Sequence, residues 1–129
     1  MVGENAQRET GVSEALDTWE KAEAFALSMP GTARSTSYNM PMVMVSKNRR
    51  GFLVTGHEAR TSFAVPLDEG YAELLMETDP DSFWQSPHYA GSGSVLVRYS
   101  SPDQDRVREV IEHAYKLAVA KKNRPPRRK

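Results

Sequence analysis

Short runs of alternating apolar and polar residues, tight polar connections between them, and three helical segments placed before, between and after those runs predict an α+β domain. The predicted order is α-β-β-β-α-β-β-α, a two-layer arrangement with a largely antiparallel sheet and its helices on one face. The antiparallel reading rests on the connections. Asn48-Arg49-Arg50-Gly51 and His57-Glu58-Ala59-Arg60 are too short for the crossover that parallel neighbours need.

From Ser13 a first helix presents Ala15, Trp19, Ala22, Ala26 and Met29 along one side, and Pro30-Gly31 stops it. The stretch from Gly31 to Asn39 is polar and reads as an irregular linker. Met42 to Lys47, Gly51 to Gly56 and Thr61 to Val65 read as three strands joined by hairpins. Asp68 is placed to cap a short helix that uses Tyr71, Leu74, Leu75 and Met76 and ends at Thr78-Asp79-Pro80. A fourth strand or extended segment follows from Phe83 to Tyr89. Val95, Val97 and Tyr99 then alternate with Leu96 and Arg98, the period of a strand whose faces see different surroundings. Ser101-Pro102-Asp103-Gln104 predicts the last helix start, with Ser101 as cap and Gln104 closing a capping box. Val107, Val110, Ile111, Ala114, Leu117 and Ala118 form its apolar stripe.

The order of short motifs resembles the MmcQ/YjbR-like family of small bacterial proteins over roughly residues 13 to 122. Met29-Pro30-Gly31-Thr32 is similar to the family's Leu-Pro-Gly after the first helix, and Ser37-Tyr38-Asn39-Met40-Pro41 to its Ser-Tyr-Gly-x-Pro. Pro87-His88-Tyr89, the Gly91-Ser92-Gly93 link and the Val95-Leu96-Val97-Arg98 strand continue the match to a last helix running to Lys121-Lys122. Asn39 replaces the usual glycine but tolerates a left-handed backbone, and Ala120 replaces a proline expected near the end. The resemblance implies a YjbR-like, secretion-chaperone-like fold. It also implies a double-wing DNA-binding role, in which β-hairpins rather than a recognition helix reach the groove.

Length fits one domain: a flexible segment over 1–12, a folded unit over 13–120 and a basic tail over 121–129. Net charge is zero only as a sum of unlike parts. Residues 1–120 hold 11 basic against 17 acidic side chains, whereas 121–129 hold six basic and none acidic. Around Pro125-Pro126 that tail is too charged and proline-rich to bury, and it attracts polyanions. The plainer reading is a solvated end settled against the last helix's dipole. The absence of cysteine excludes disulfides and thiolate metal sites. Without an apolar leader in the first residues, the expectation is a cytoplasmic protein with no membrane partner.

The chemistry-bearing inventory is thin. His57, His88 and His113 have no metal-ligand spacing, and His113 reads as a surface ion-pair partner of Glu109 one turn earlier. Ser35, Ser37 and Ser62 stand in no nucleophile turn, and Gly91-Ser92-Gly93 lacks the ending of a phosphate loop. The expectation is therefore a non-enzymatic protein with no cofactor and no metal. For DNA, the candidates are Lys47, Arg49 and Arg50 on the first hairpin, Arg60 on the next connection, and Lys121, Lys122 and Arg124 in the tail. Against this stands the reading that hairpin cations merely blunt a sheet edge. A second candidate function is a protein- or peptide-binding module, or a homodimer, using the uncovered sheet face, where Met40, Met42 and Met44 lie close together, although core packing is the simpler reading of methionines that alternate along a strand. A third is a small-ligand pocket built from Tyr38, His88, Tyr89 and Arg98, although Arg98 has the commoner alternative of pairing with a cross-strand acid.

Overall fold

A computed structural model describes residues 15–55, 61–87 and 93–122. Among these, the chain forms helix α1 (Trp19–Leu27), strands β1 (Thr32–Ser37), β2 (Met40–Val45), β3 (Arg50–Thr55) and β4 (Ser62–Pro66), and helix α2 (Glu69–Thr78). Strands β5 (Phe83–Trp84) and β6 (Ser94–Arg98) and helix α3 (Gln104–Ala120) complete it. The six strands make one sheet in the order β1-β2-β3-β4-β6-β5, every pairing antiparallel. The α+β fold expected from the sequence is the one observed.

One strand went unforeseen. Thr32–Ser37 is not an irregular linker but the edge strand β1, paired with β2 from Thr32 opposite Val45 to Ser37 opposite Met40. Its composition, Thr-Ala-Arg-Ser-Thr-Ser, carries no apolar alternation because an edge strand buries little of either face. The turn that makes it possible is Tyr38-Asn39, both left-handed at φ of 52° and 69°. Two consecutive positive-φ residues define the tight hairpin whose twist matches its strands.

Other boundaries shift for local reasons. Helix α1 begins at Trp19 rather than near Ser13, because the Thr18 side chain accepts from the Lys21 amide and caps it there. The first long hairpin turns at 46–49, two residues earlier than expected, closed by the Arg49 amide donating to the Val45 carbonyl at 2.8 Å. Helix α3 is capped by Asp103, not Ser101: the Asp103 carboxylate accepts from the Arg106 amide at 3.0 Å. Ser101 is drawn inward to a 2.5 Å hydrogen bond with Ser82, and Gln104 accepts from the Leu16 amide at 2.8 Å, tying the entry to α1 onto α3. Asp68 does cap α2, accepting from the Tyr71 amide. Strand β5 is only two residues long, and the remainder of the expected Phe83 to Tyr89 strand either leaves the sheet or falls outside the described residues.

The core lies between the sheet and the helices. Val43, Val45, Phe52, Leu53, Phe63, Val65, Val95 and Val97 meet Ala22 and Ala26 of α1, Ala72 and Leu75 of α2, and Val107, Val110, Ile111 and Ala114 of α3. Phe52 and Leu53 are consecutive yet both fully buried, which strict strand alternation forbids. A register shift opposite Val43 and Met44 supplies the extra residue and lets both side chains point at the helices. The sheet's other face carries a cross-strand row, Ser35, Met42, Val54, Ala64, Leu96 and Trp84, and no helix packs over it among the described residues.

Gly93 holds the loop into β6 at φ 85°, its carbonyl accepting from the Leu67 amide, and a Cβ there would stand 2.5 Å from the Leu67 carbonyl oxygen. Gly93→Ala is expected to destabilise the domain by about 1–3 kcal/mol, measured as a lower urea midpoint with an unchanged slope.

Candidate nucleic-acid interface

The β2–β3 hairpin bends back onto the end of the last helix, and a single amide side chain fixes it there. Asn48 is buried in the turn, its Nδ2 donating to the carbonyls of Ala118 at 2.8 Å and Lys121 at 3.0 Å. Its Oδ1 accepts from the Arg50 amide at 3.1 Å, so one side chain spans both elements. Carbonyls at a helix C-terminus run short of intrahelical donors, and here a side chain 70 and more residues away adds one to Ala118, which also accepts from the Lys121 amide at 3.2 Å, and one to Lys121. This also explains how α3 stops without the proline that Ala120 replaces: Lys121 leaves the helix extended, at φ −79° and ψ 158°. Arg50 adds a second tie, Nε donating to the Lys122 carbonyl at 2.9 Å.

Those bonds bring cations from two ends of the chain together. Lys47 and Arg49 are exposed in the turn, Arg50 is half-buried beside it, and Lys121 and Lys122 are exposed at the end of α3. Arg49 occupies the turn's left-handed position, φ 59°. The negative end of the α3 dipole lies under this cluster and offsets part of its self-repulsion. The acids at the start of α3, Asp103 and Asp105, stand about 25 Å away along the 17-residue helix. Of the residues expected at a nucleic-acid surface, Lys47, Arg49, Arg50, Lys121 and Lys122 therefore share one corner, while Arg60 and Arg124 lie outside the described residues.

The residues expected around a small ligand are not gathered in this way. Tyr38 is 86% exposed at the β1–β2 turn. Arg98 ends β6, three strand spacings from β2, or about 15 Å. Its guanidinium lies over the Trp84 ring, 4.0 Å from the centroid, in place of the cross-strand acid that was its commoner expected partner. His88 and Tyr89 lie outside the described residues, as does His57. His113 turns toward α2 rather than along its own helix: it packs on the Tyr71 ring at 4.4 Å and approaches Asp68 at 3.7 Å, not Glu109. Burial pushes the Tyr71 hydroxyl above its ordinary value, and Glu109 and Asp68 add to that against Arg106.

Two further openings line the sheet. On the sheet face that no described helix covers, a groove of about 290 Å³ runs past Met42, Val54, Ala64 and Pro66 and meets the basic corner at Arg50 and Lys121. Its width depends on Gly51, since the Met42 sulfur lies 2.5 Å from where a Cβ would be. The second, about 470 Å³, opens between the layers where α1 begins. No group of three or more His, Cys, Asp or Glu side chains suited to a metal is present among the described residues, and no described helix is long and apolar enough to cross a membrane.

Comparison with known proteins bears on this geometry at the level of fold and family. No curated protein matches the chain. A crystal structure of the Deinococcus radiodurans protein DR2400, a domain of the DUF419 family, superposes with a TM-score of 0.70 at 15% identity, covering 84% of this chain and 83% of that one. The YjbR family model matches residues 27–117, from the end of α1 through most of α3. With all six strands and most of the long closing helix inside that span, the chain belongs to the YjbR family.

Proposed function

We propose that the protein binds nucleic acid as a polyanion through the corner formed by the β2–β3 hairpin and the end of α3. The observation that supports it is the Asn48 and Arg50 hydrogen bonding to the α3 terminus, which sets Lys47, Arg49, Arg50, Lys121 and Lys122 side by side. The chain continues from Lys122 into a segment with Arg124, Arg127, Arg128 and Lys129, so in sequence the basic tail begins at this corner. The rest of the sequence is acidic, which confines attraction to this corner and favours phosphate contacts over base reading.

The test is a duplex titration at several salt concentrations. Each phosphate contact adds roughly −0.9 to the slope of log affinity against log salt, so five contacts give about −4 to −5. The charge-removing pair Lys47→Gln with Arg49→Asn is expected to reduce the slope by about 2, as is Lys121→Gln with Lys122→Gln. Asparagine is chosen at 49 because it accepts the left-handed backbone. Salt-independent affinity, or slopes indifferent to both pairs, contradicts the reading.

A second reading is supported by the groove on the uncovered sheet face, where an apolar floor of Met42, Val54 and Ala64 meets Arg50 and Lys121 at one rim. This suits an extended peptide with apolar and acidic side chains, or a second copy of the chain. Light scattering across a hundred-fold concentration range separates the two, and a strict monomer that binds duplex but no acidic peptide rejects both.

A further inference from the structure

The interlayer opening at the far end of β2 from the basic corner has a different chemistry. Trp19 at the first turn of α1 forms one wall, and Met40 and Pro41 at the start of β2 form the other. Its floor is made by Thr55, the last residue of β3, and Tyr99, just beyond β6. Both floor residues are only 6% exposed, and neither Thr55 Oγ1 nor Tyr99 Oη has a hydrogen-bond partner among the described residues.

Two buried hydroxyls that line one opening and have no protein partner among the described residues are costly unless a bound group satisfies them. They are held by packing: the Tyr99 ring lies 5.4 Å from Phe63, and Thr55 pairs with Phe63 across the strands. Burial raises the Tyr99 hydroxyl far above its ordinary value, and the Glu20 carboxylate reinforces that, so it stays a neutral donor at any physiological pH. Asp17 and Glu20 stand at the rim and no cationic side chain among the described residues lines the opening, although Lys21 pairs with Asp17 at 3.2 Å outside it. A flat apolar wall, a polar floor and an anionic rim, in about 470 Å³, match the size and make-up of small-molecule sites.

We infer that this opening between Trp19, Pro41, Thr55 and Tyr99 is a binding site for a small amine with a planar apolar body, and that it excludes carboxylates and phosphates. The planar body lies against Trp19 and Pro41, the ammonium faces Glu20 and Asp17, and a polar group or bound water on the ligand satisfies the two hydroxyls. The site is separate from the polyanion corner and selects the opposite charge.

The probes are 2-phenylethylamine and 3-phenylpropionate, equal in shape and opposite in charge. With only two tryptophans in the chain, Trp84→Phe leaves Trp19 as the sole reporter, excited where neither probe absorbs. A saturable Trp19 response to the amine is expected, about five-fold or more weaker for the carboxylate and for Glu20→Gln. Thr55→Val with Tyr99→Phe, which removes unpaired hydroxyls without changing shape, is expected to keep the fold and weaken the amine by about five-fold. Amide shifts of Thr55 and Tyr99 in the unsubstituted chain give a second readout independent of Trp84→Phe. No saturable response to the amine in either readout, equal response to both probes, or an unchanged affinity after removal of the hydroxyls overturns the inference.

Discussion

Phe52→Ala is expected to destabilise the domain by about 3–5 kcal/mol, the largest single effect in the molecule. Phe52 is fully buried and exists in its orientation only because the β2–β3 register shifts beside it. Its ring meets Tyr115 of α3 edge to face, centroids 5.4 Å apart and planes at 69°. Tyr115 in turn donates its hydroxyl to the Pro30 carbonyl at 2.6 Å, so the same stack ties α3 to the turn that follows α1. Removing the ring opens a cavity at the junction of sheet, α3 and the α1 exit, where backbone on three sides limits collapse. Chemical denaturation should show a lower midpoint with an unchanged slope. A loss below about 1 kcal/mol would mean that the bulge does not carry the packing assigned to it.

Asn48→Ala is expected to cost about 2–3 kcal/mol and to weaken polyanion binding at the same time. The stability loss comes from the Lys121 carbonyl losing its Asn48 donor, from the Ala118 carbonyl keeping only the Lys121 amide at 3.2 Å, and from a cavity at a position now buried. The binding loss has a different origin, since no charge is removed: the hairpin is no longer held against the helix end, and its cations lose their fixed spacing to Lys121 and Lys122. Asn48→Asp sharpens the distinction. A carboxylate would face the negative end of α3 and two carbonyl oxygens, so it should destabilise more than alanine does. Thermal melts and duplex titrations on the same preparations check both, and a variant that melts early yet binds duplex with wild-type affinity would separate the latch from the site.

How far the sequence announced this structure depends on what each element rests on. Helix α3 was legible because its stripe from Val107 to Ala118 repeats at helical spacing and buries as a unit. Strands β4 and β6 were legible from alternation, confirmed in the pairings Phe63 with Val97 and Val65 with Val95. Strand β1 was not, since an edge strand of Thr, Ser and Arg has no apolar period and its turn uses Tyr38-Asn39 in place of a glycine. The α3 cap lies two residues beyond the expected Ser101, because Ser101 Oγ accepts from the Asp103 amide while the Asp103 carboxylate takes the Arg106 amide.

The site shows the same division. The cations of the basic corner could be named from composition, but their convergence depends on Asn48, a residue with no distinguishing signal beyond its place in a polar turn. A contact that joins residues 48 and 118 carries no local period. The Thr55 and Tyr99 hydroxyls were hidden for a related reason: Thr55 ends β3, Tyr99 follows β6, both look ordinary there, and the opening that they line forms only where α1 begins. Tyr38 and Arg98 failed to meet because proximity in motif order says nothing about which strands separate them.

The most direct test of the basic corner is a backbone amide NMR titration of the full chain with a short DNA duplex at low salt. Shifts concentrated at residues 46–50 and 118–122, fading together as salt is raised, are the predicted result. Shifts confined to one of these two segments, or centred instead on the Trp84 and Leu96 face of the sheet, would contradict it.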